Sequence, residues 1–189
     1  MTEKEVLELF DKYNALLAGH FRLSGGLHSE KYLQCALILQ YPDAAAKLAK
    51  ALAGKFTKEK IDVVIGPALG GITLAYEVAR AIGVRGVFTE RQDGKMVLRR
   101  GFVVKSGEKV LVVEDVVTTG GSTKEVIEVV KNSGGKVIGV GSVIDRSDSP
   151  VDFGARFESL ARIKIETFKE GDCPLCKNNI PITKPGSRK

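Results

Sequence analysis

The chain has 189 residues, 43% apolar and 28% charged, which suffices for one domain with its own core and excludes a disordered or fibrous polymer. No apolar run approaches the roughly 20 residues of a membrane helix, and the charged opening Met1-Thr2-Glu3-Lys4-Glu5 lacks the pattern of an export signal, so a cytoplasmic location is expected. Net charge is +6, and three cysteines give no disulfide framework.

The basic excess is local. Residues 85–105 carry six basic residues against Glu90 and Asp93, a net +4, and from Cys173 onward Lys177, Lys184, Arg188 and Lys189 stand with no acid, another +4. The rest of the chain is slightly acidic. Such segments are either solvated surface or the footprint of an anionic partner, a phosphorylated ligand or a nucleic acid.

Thr2-x-x-Glu5 reads as a capping box opening a helix with Val6, Leu7, Phe10 and Leu17 at helical spacing and an end near Gly19. A turn-rich stretch, 24–29, leads to a short strand over Tyr32–Cys35. Pro42 opens an alanine-rich helix that stops at Gly54. The pattern then becomes regular: a strand at Ile61–Ile65, a loop Gly66-Pro67-Ala68-Leu69-Gly70-Gly71, a helix Ile72–Ile82 stopped by Gly83, and a strand Val84–Thr89. Gln92-Asp93-Gly94 turns into a hairpin strand at Met96–Leu98. Val110–Val113 is an apolar strand, Thr123–Asn132 a helix ended by Ser133-Gly134-Gly135, Val137–Ile144 a strand, and Ala161–Phe168 a last strand. Apolar strands alternating with helices indicate an α/β fold with a parallel sheet covered on both faces. The first forty or so residues do not share that alternation and form a small accessory layer.

Val110-Leu111-Val112-Val113-Glu114-Asp115-Val116-Val117-Thr118-Thr119-Gly120-Gly121-Ser122-Thr123 carries the most chemistry. An apolar strand delivers two adjacent carboxylates, which strand alternation points to opposite faces. Hydroxyl residues and two glycines follow at a helix start, with Ser122-x-x-Glu125 as a second capping box. Glycine lets backbone N–H groups turn toward a ligand, and the helix N-terminus favours an anion. The segment reads as a phosphate cradle with two acids at its lip, suited to sugar hydroxyls or a magnesium ion. Neither a Gly-Lys-Ser/Thr loop nor G-x-G-x-x-G occurs.

Cys173-Pro174-Leu175-Cys176 has the spacing of half a zinc site. The only other candidates, Cys35, His20 and His28, stand at no knuckle spacing, so a zinc site within one chain, a site paired across a dimer and a redox pair are minority readings beside a tail that packs on the body or on a partner subunit. His28 reads as a packing or hydrogen-bonding residue.

Glu114–Thr123, behind its four apolar residues, resembles the ribose-5-phosphate loop of the type I phosphoribosyltransferases. Within that family the chain is most similar to the members that use orotate. Gly25–Tyr32 resembles a segment near their start, Gly66–Gly71 their pyrophosphate loop, and Asp145-Arg146 stands where their base-binding arginine does. The resemblance covers residues 1–168, with 1–40 contributing to a small N-terminal hood on a central parallel sheet flanked by helices. Residues 169–189 form a Cys-x-x-Cys and basic tail.

The resemblance implies transfer of a phosphoribosyl group from 5-phosphoribosyl 1-diphosphate (PRPP) to orotate, giving orotidine 5′-monophosphate, in a homodimer with shared sites. PRPP would meet Glu114, Asp115, Val116, Val117, Thr118, Thr119, Gly120, Gly121 and Ser122. Orotate would meet Thr118 and Arg146, whose alternative is a surface salt bridge with Asp145 or Asp148. Tyr32 would stack on the orotate ring or pack in the core. Arg91, Lys95 and Asp115 would be catalytic, Arg91 and Lys95 from a mobile basic loop that also holds Arg99 and Arg100. Magnesium is the implied cofactor, held by PRPP and by waters near Glu114 and Asp115 with no direct side-chain ligand. The chain departs from the family pattern in lacking that loop's histidine, in having Gly70 where a lysine is common, and in having Ser24 where a basic residue is common. A transferase for a purine or uracil, or a PRPP-sensing nucleic-acid-binding regulator, are the alternatives.

Overall fold

A computed structural model describes residues 1–23 and 25–185. Its centre is a six-stranded sheet of β3 (Val63–Pro67), β4 (Arg85–Gln92), β5 (Lys95–Leu98), β6 (Lys109–Val117), β7 (Lys136–Asp145) and β8 (Phe157–Arg162), in the order β5-β4-β3-β6-β7-β8. Every pairing is parallel except β4 with β5. That exception is the anticipated hairpin. Its two-residue turn, Asp93-Gly94, has φ of 51° and 80°, as a type I′ turn requires.

Alternation along the strands builds two cores. Val64, Leu111, Val113 and Val143 pack with α1 (Glu3–Lys12), α2 (Ala36–Leu39), α3 (Pro42–Gly54) and α4 (Gly70–Ile82). Val63, Ile65, Val110, Val112 and Val140 face the other way, against Val126, Ile127 and Val130 of α5 (Gly121–Asn132). Each fully buried Val, Leu or Ile contributes about 1.5–3 kcal/mol, so both faces need their helices. The chain leaves β3 through α4 toward β4, and leaves β6 through α5 toward β7 on the opposite side. The crevice between β3 and β6 is thus the point where connections diverge, and ligands of parallel α/β sheets bind at such points beyond the strand C-termini.

Boundaries at the two ends of the chain differ from expectation. The Thr2–Glu5 capping box forms, but α1 stops at Lys12, because Asn14 takes a left-handed φ of 49°. The chain continues as β1 (Leu16–Arg22), antiparallel to β2 (His28–Leu33), where the helix to Gly19 and the strand at Tyr32–Cys35 were expected. The last strand is Phe157–Arg162 and not Ala161–Phe168. Beyond Arg162 the chain leaves the sheet, Ile165 is buried in the core, and Phe168 pairs with His28.

The β1–β2 ribbon is the hood, a sheet separate from the central one. After a short 3-10 turn at Glu170–Asp172, α6 (Pro174–Lys177) and the strand-like residues to Thr183 fold back onto it. Ser24, and Arg188 and Lys189 of the basic tail, lie outside the described residues.

Candidate active site at the strand ends

β6 extends four residues beyond its apolar run. Glu114, Val116 and Val117 pair with Ser142, Ile144 and Asp145 of β7, so the acid pair belongs to the strand. Exposed Thr118 and Thr119 then lead to Gly120, the N-cap of α5, with φ of 73°. A Cβ there would stand 2.7 Å from a Val151 methyl and 2.8 Å from the Phe153 ring. Only glycine satisfies both the backbone and the space. The helix starts at Gly121, two residues earlier than expected, and the Ser122–Glu125 capping box does not form. Gly120 is the cap without a side-chain bond, and the Glu125 carboxylate instead accepts from Arg91 at 2.8 Å. The first turn of α5 is thus left to its backbone donors and the hydroxyls of 118–122.

The two carboxyl groups do not point apart as strand alternation suggested. Glu114 accepts from the Asp115 amide at 3.3 Å, and the carboxyl groups are within hydrogen-bonding reach of each other. Burial pushes the Asp115 carboxyl above the usual carboxylate range, opposed by the Glu114 contact and the Val116 amide. Asp115 also crosses to the β3 side of the crevice. A Cβ on Gly70 would lie 2.6 Å from Asp115 Oδ2, so any side chain there would displace the carboxylate. That contact accounts for glycine at position 70. Nearby, the Ala68–Leu69 peptide is cis, and the Ala68 N–H donates to the Thr89 carbonyl at 2.7 Å. The ends of β3 and β6, with α4 and α5 starting beyond them, thus meet where Gly70 approaches the Asp115 carboxylate.

Arg146 follows β7 directly, its N–H donating to the Val117 carbonyl at 2.8 Å. Its guanidinium is partly buried, which lowers its pKa, with Asp148 and Tyr32 close enough to counter the shift. Among the described residues it makes no hydrogen bond or ion pair. Asp145, the alternative partner, is taken by Ser147, whose hydroxyl donates at 2.6 Å, and by Arg162 at 3.6 Å. Tyr32, from β2 of the hood, reaches the same place. Burial raises its pKa first, the Asp115 charge adds to that, and Arg146 opposes it. The site therefore has a planar fork of donors and an aromatic ring at one end and the hydroxyl-rich loop at the other. His28 lies elsewhere, buried with His20 at the far end of β2.

The basic segment is not an open loop. Arg91, next to last in β4, donates to Glu125 and, at 2.6 Å, to the Gly94 carbonyl, which places it beside the start of α5. Arg91 is opposite Met96 and Gln92 opposite Lys95 in the hairpin register, so Arg91 and Lys95 point to opposite faces. Arg99 and Arg100 both pair with Glu90, and Arg85 with Glu108. Four of the segment's six basic residues thus pair with three acids of the same chain.

Residues 36–153 match the phosphoribosyl transferase domain model. The orotate phosphoribosyltransferase of Caldanaerobacter subterraneus is 59% identical over 189 residues, covering all of both chains. That of Thermotoga maritima is 52% identical, covering 97% of this chain and 98% of its own. The solved orotate phosphoribosyltransferase of Aeropyrum pernix superposes with a TM-score of 0.69 at 26% identity, over 84% of this chain and 93% of that one. No helix among the described residues is long and apolar enough to cross a membrane. With a crevice at the sheet's divergence point, a hydroxyl-and-glycine loop behind an acid pair, and full-length identity above one half, the chain belongs to the orotate phosphoribosyltransferase family.

Proposed function

We propose that this chain transfers the phosphoribosyl group of PRPP to orotate, giving orotidine 5′-monophosphate and diphosphate. The observation that carries the choice of base is Arg146, a partly buried guanidinium with no hydrogen bond or ion pair among the described residues, at the start of the loop that follows β7 beside β6. Orotate brings the carboxylate that such a fork pairs with through two parallel hydrogen bonds. Uracil and the purines lack it. Tyr32 offers a face for the pyrimidine ring, and Thr118 a hydroxyl at its edge.

The remaining roles follow from position. Thr118, Thr119, Gly120, Gly121 and Ser122 hold the 5′-phosphate through hydroxyls and backbone N–H groups at the start of α5. Val116 and Val117 set the strand that aims them. Glu114 and Asp115 take the ribose hydroxyls. The bond from the ribose to diphosphate breaks as the bond to the orotate ring nitrogen forms, the proton of that nitrogen leaves with the departing diphosphate, and in between the sugar gains positive character while the diphosphate gains negative charge. Asp115 stands beside the first; Arg91 answers the second. Its exposed pair with Glu125 is worth about 0.2–1 kcal/mol and exchanges readily for a diphosphate. The chain thus works by placement and by fixed charge, with no covalent intermediate of its own.

Two carboxylates in mutual reach, one of them held above its usual pKa by burial, are a donor set that a hydrated magnesium ion suits. Bound there through waters of Glu114 and Asp115, it would supply charge neutralisation to the diphosphate. A cytoplasmic homodimer is part of the same reading, as is a domain of residues 1–168 with 169–189 as its tail. Lys95, exposed on the face away from α5, is the residue that would reach a partner's site.

Equilibrium binding of orotate, uracil, adenine and hypoxanthine in the presence of diphosphate and magnesium tests the base. Orotate alone is expected to bind tightly. Tighter binding of uracil or a purine would overturn the assignment to orotate.

A further inference from the structure

Four side chains that the transfer reaction does not use converge in the hood. His20 of β1, His28 of β2, and Cys173 and Cys176 around α6 bring one nitrogen or sulfur each to within 4.8 Å of all the others. His20 Nε2 lies 3.1 Å from His28 Nδ1, 3.6 Å from Cys173 Sγ and 3.7 Å from Cys176 Sγ, and Cys176 Sγ lies 3.2 Å from His28 Nδ1. A tetrahedral zinc ion with bonds of about 2.0–2.1 Å to nitrogen and about 2.3 Å to sulfur spaces its ligand atoms by roughly 3.3–3.8 Å. Both histidines and Cys173 are buried.

Hydrogen bonding alone does not explain this convergence. His20 Nδ1 lies 2.7 Å from the Ile180 carbonyl, which can only accept, so the proton sits on Nδ1 and Nε2 carries a single lone pair. Cys173 can donate to that lone pair and Cys176 to His28 Nδ1, but such bonds join the groups only in pairs and leave the 3.1 Å contact between His20 Nε2 and His28 Nδ1 without a proton to share. A cation uses all four groups at once. The Nδ1–H to carbonyl bond is also the outer contact that metal-bound histidines make, fixing tautomer and ring angle.

We propose that His20, His28, Cys173 and Cys176 form a closed structural zinc site that clamps the hood to the C-terminal segment. Binding displaces the two thiol protons to solvent, so the buried assembly of one dication and two thiolates is neutral. With four protein ligands no position is open for substrate, and the ion is structural.

The surroundings fit a clamp. The hairpin register shifts between Ala18 and Phe21, an irregularity that takes in His20, and such bulges re-aim a side chain. His28 exchanges backbone bonds with Phe168 at 2.8 and 2.9 Å, and Thr183 N–H donates to the His20 carbonyl at 2.8 Å. An isolated two-stranded ribbon is marginal in water, and this one is joined to the body through these contacts. β2 then carries Tyr32, four residues past His28, to the catalytic crevice.

Metal analysis of the purified full-length chain tests this. About one zinc per chain is expected, falling below about 0.1 in a Cys173→Ser, Cys176→Ser double variant. Should that variant not fold, the wild-type chain still decides. Stripping the metal with a chelator should lower Tm by roughly 5–10 °C, the shift for a ligand at about 100 times its Kd in a domain of this size. Adding cobalt(II) to the reduced, stripped chain should give the intense visible bands of a tetrahedral ion and a thiolate charge-transfer band. A wild-type chain that carries no zinc and, once reduced, takes up no cobalt overturns the site. So does a cobalt spectrum without thiolate bands.

Discussion

Arg146→Ala separates base recognition from phosphate binding. The guanidinium makes no hydrogen bond or ion pair among the described residues, so its removal leaves no buried acid orphaned. The folded chain should lose nothing in Tm. With orotate bound, two charge-assisted hydrogen bonds disappear. A charged hydrogen bond contributes about 1.5–3 kcal/mol, and a pair sharing one rigid fork is taken as about 2–4 kcal/mol. At tenfold per 1.36 kcal/mol that is a loss of about 30- to 900-fold in kcat/KM for orotate. Steady-state loss of orotate absorbance at saturating PRPP gives the ratio, and calorimetric titration of PRPP should be unchanged. Arg146→Lys should recover only part, because an ammonium cannot present two parallel donors. Intact orotate kinetics together with a lowered Tm would show that Arg146 is a structural residue.

Asp115→Asn should raise Tm at neutral pH while lowering turnover. A buried carboxyl with a raised pKa stabilises the fold only while protonated, so that stability is present below its unfolded pKa and lost as pH rises through the folded one. The advantage of the variant should shrink as pH falls toward about 4, the ordinary aspartate range, and melting curves across pH check it. Combining it with Glu114→Gln should weaken PRPP binding and kcat together, because ribose contacts serve ground and transition states alike; unchanged kcat/KM for PRPP would make the pair structural. Gly120→Ala should lose both stability and PRPP affinity, since the added methyl meets Val151 and Phe153 at a left-handed backbone; circular dichroism melts and PRPP titration read the two effects. Arg91→Ala and Lys95→Ala should each lower kcat more than they raise KM. When each is mixed with an Asp115→Asn subunit, the Lys95 hybrid should recover activity and the Arg91 hybrid should not, because Arg91 stands against its own chain's α5; no recovery in confirmed Lys95 hybrids would exclude a shared site.

The parallel sheet and the turn from β6 into α5 were legible because both are local patterns. Val110–Val113 is apolar enough to be a buried strand, and the hydroxyl and glycine run after Glu114-Asp115 has few other uses. What stayed hidden depends on partners distant in sequence. Two adjacent acids interrupt the apolar run of β6, and its pairing with β7 carries the strand past them through Val116 and Val117. Arg91 and Lys95 read as one cluster along the chain, yet a period of two sends them to opposite faces. Gly70 read as a departure until Asp115 was seen to occupy the space of its side chain. Cys173 and Cys176 were visible as a pair. Their two histidines lie about 150 residues earlier on facing strands, and no spacing rule connects them. Asn14 ended the first helix through its left-handed backbone, and Leu17 at helical spacing masked that stop.

Turnover tests the central claim most directly. The purified chain is given PRPP, magnesium and an equimolar mixture of orotate, uracil, adenine and hypoxanthine, and the nucleotide products are separated and identified. The account predicts that orotidine 5′-monophosphate forms with one diphosphate released per orotate consumed, and that the other bases remain. Formation of a uracil or purine nucleotide with orotate untouched would contradict it.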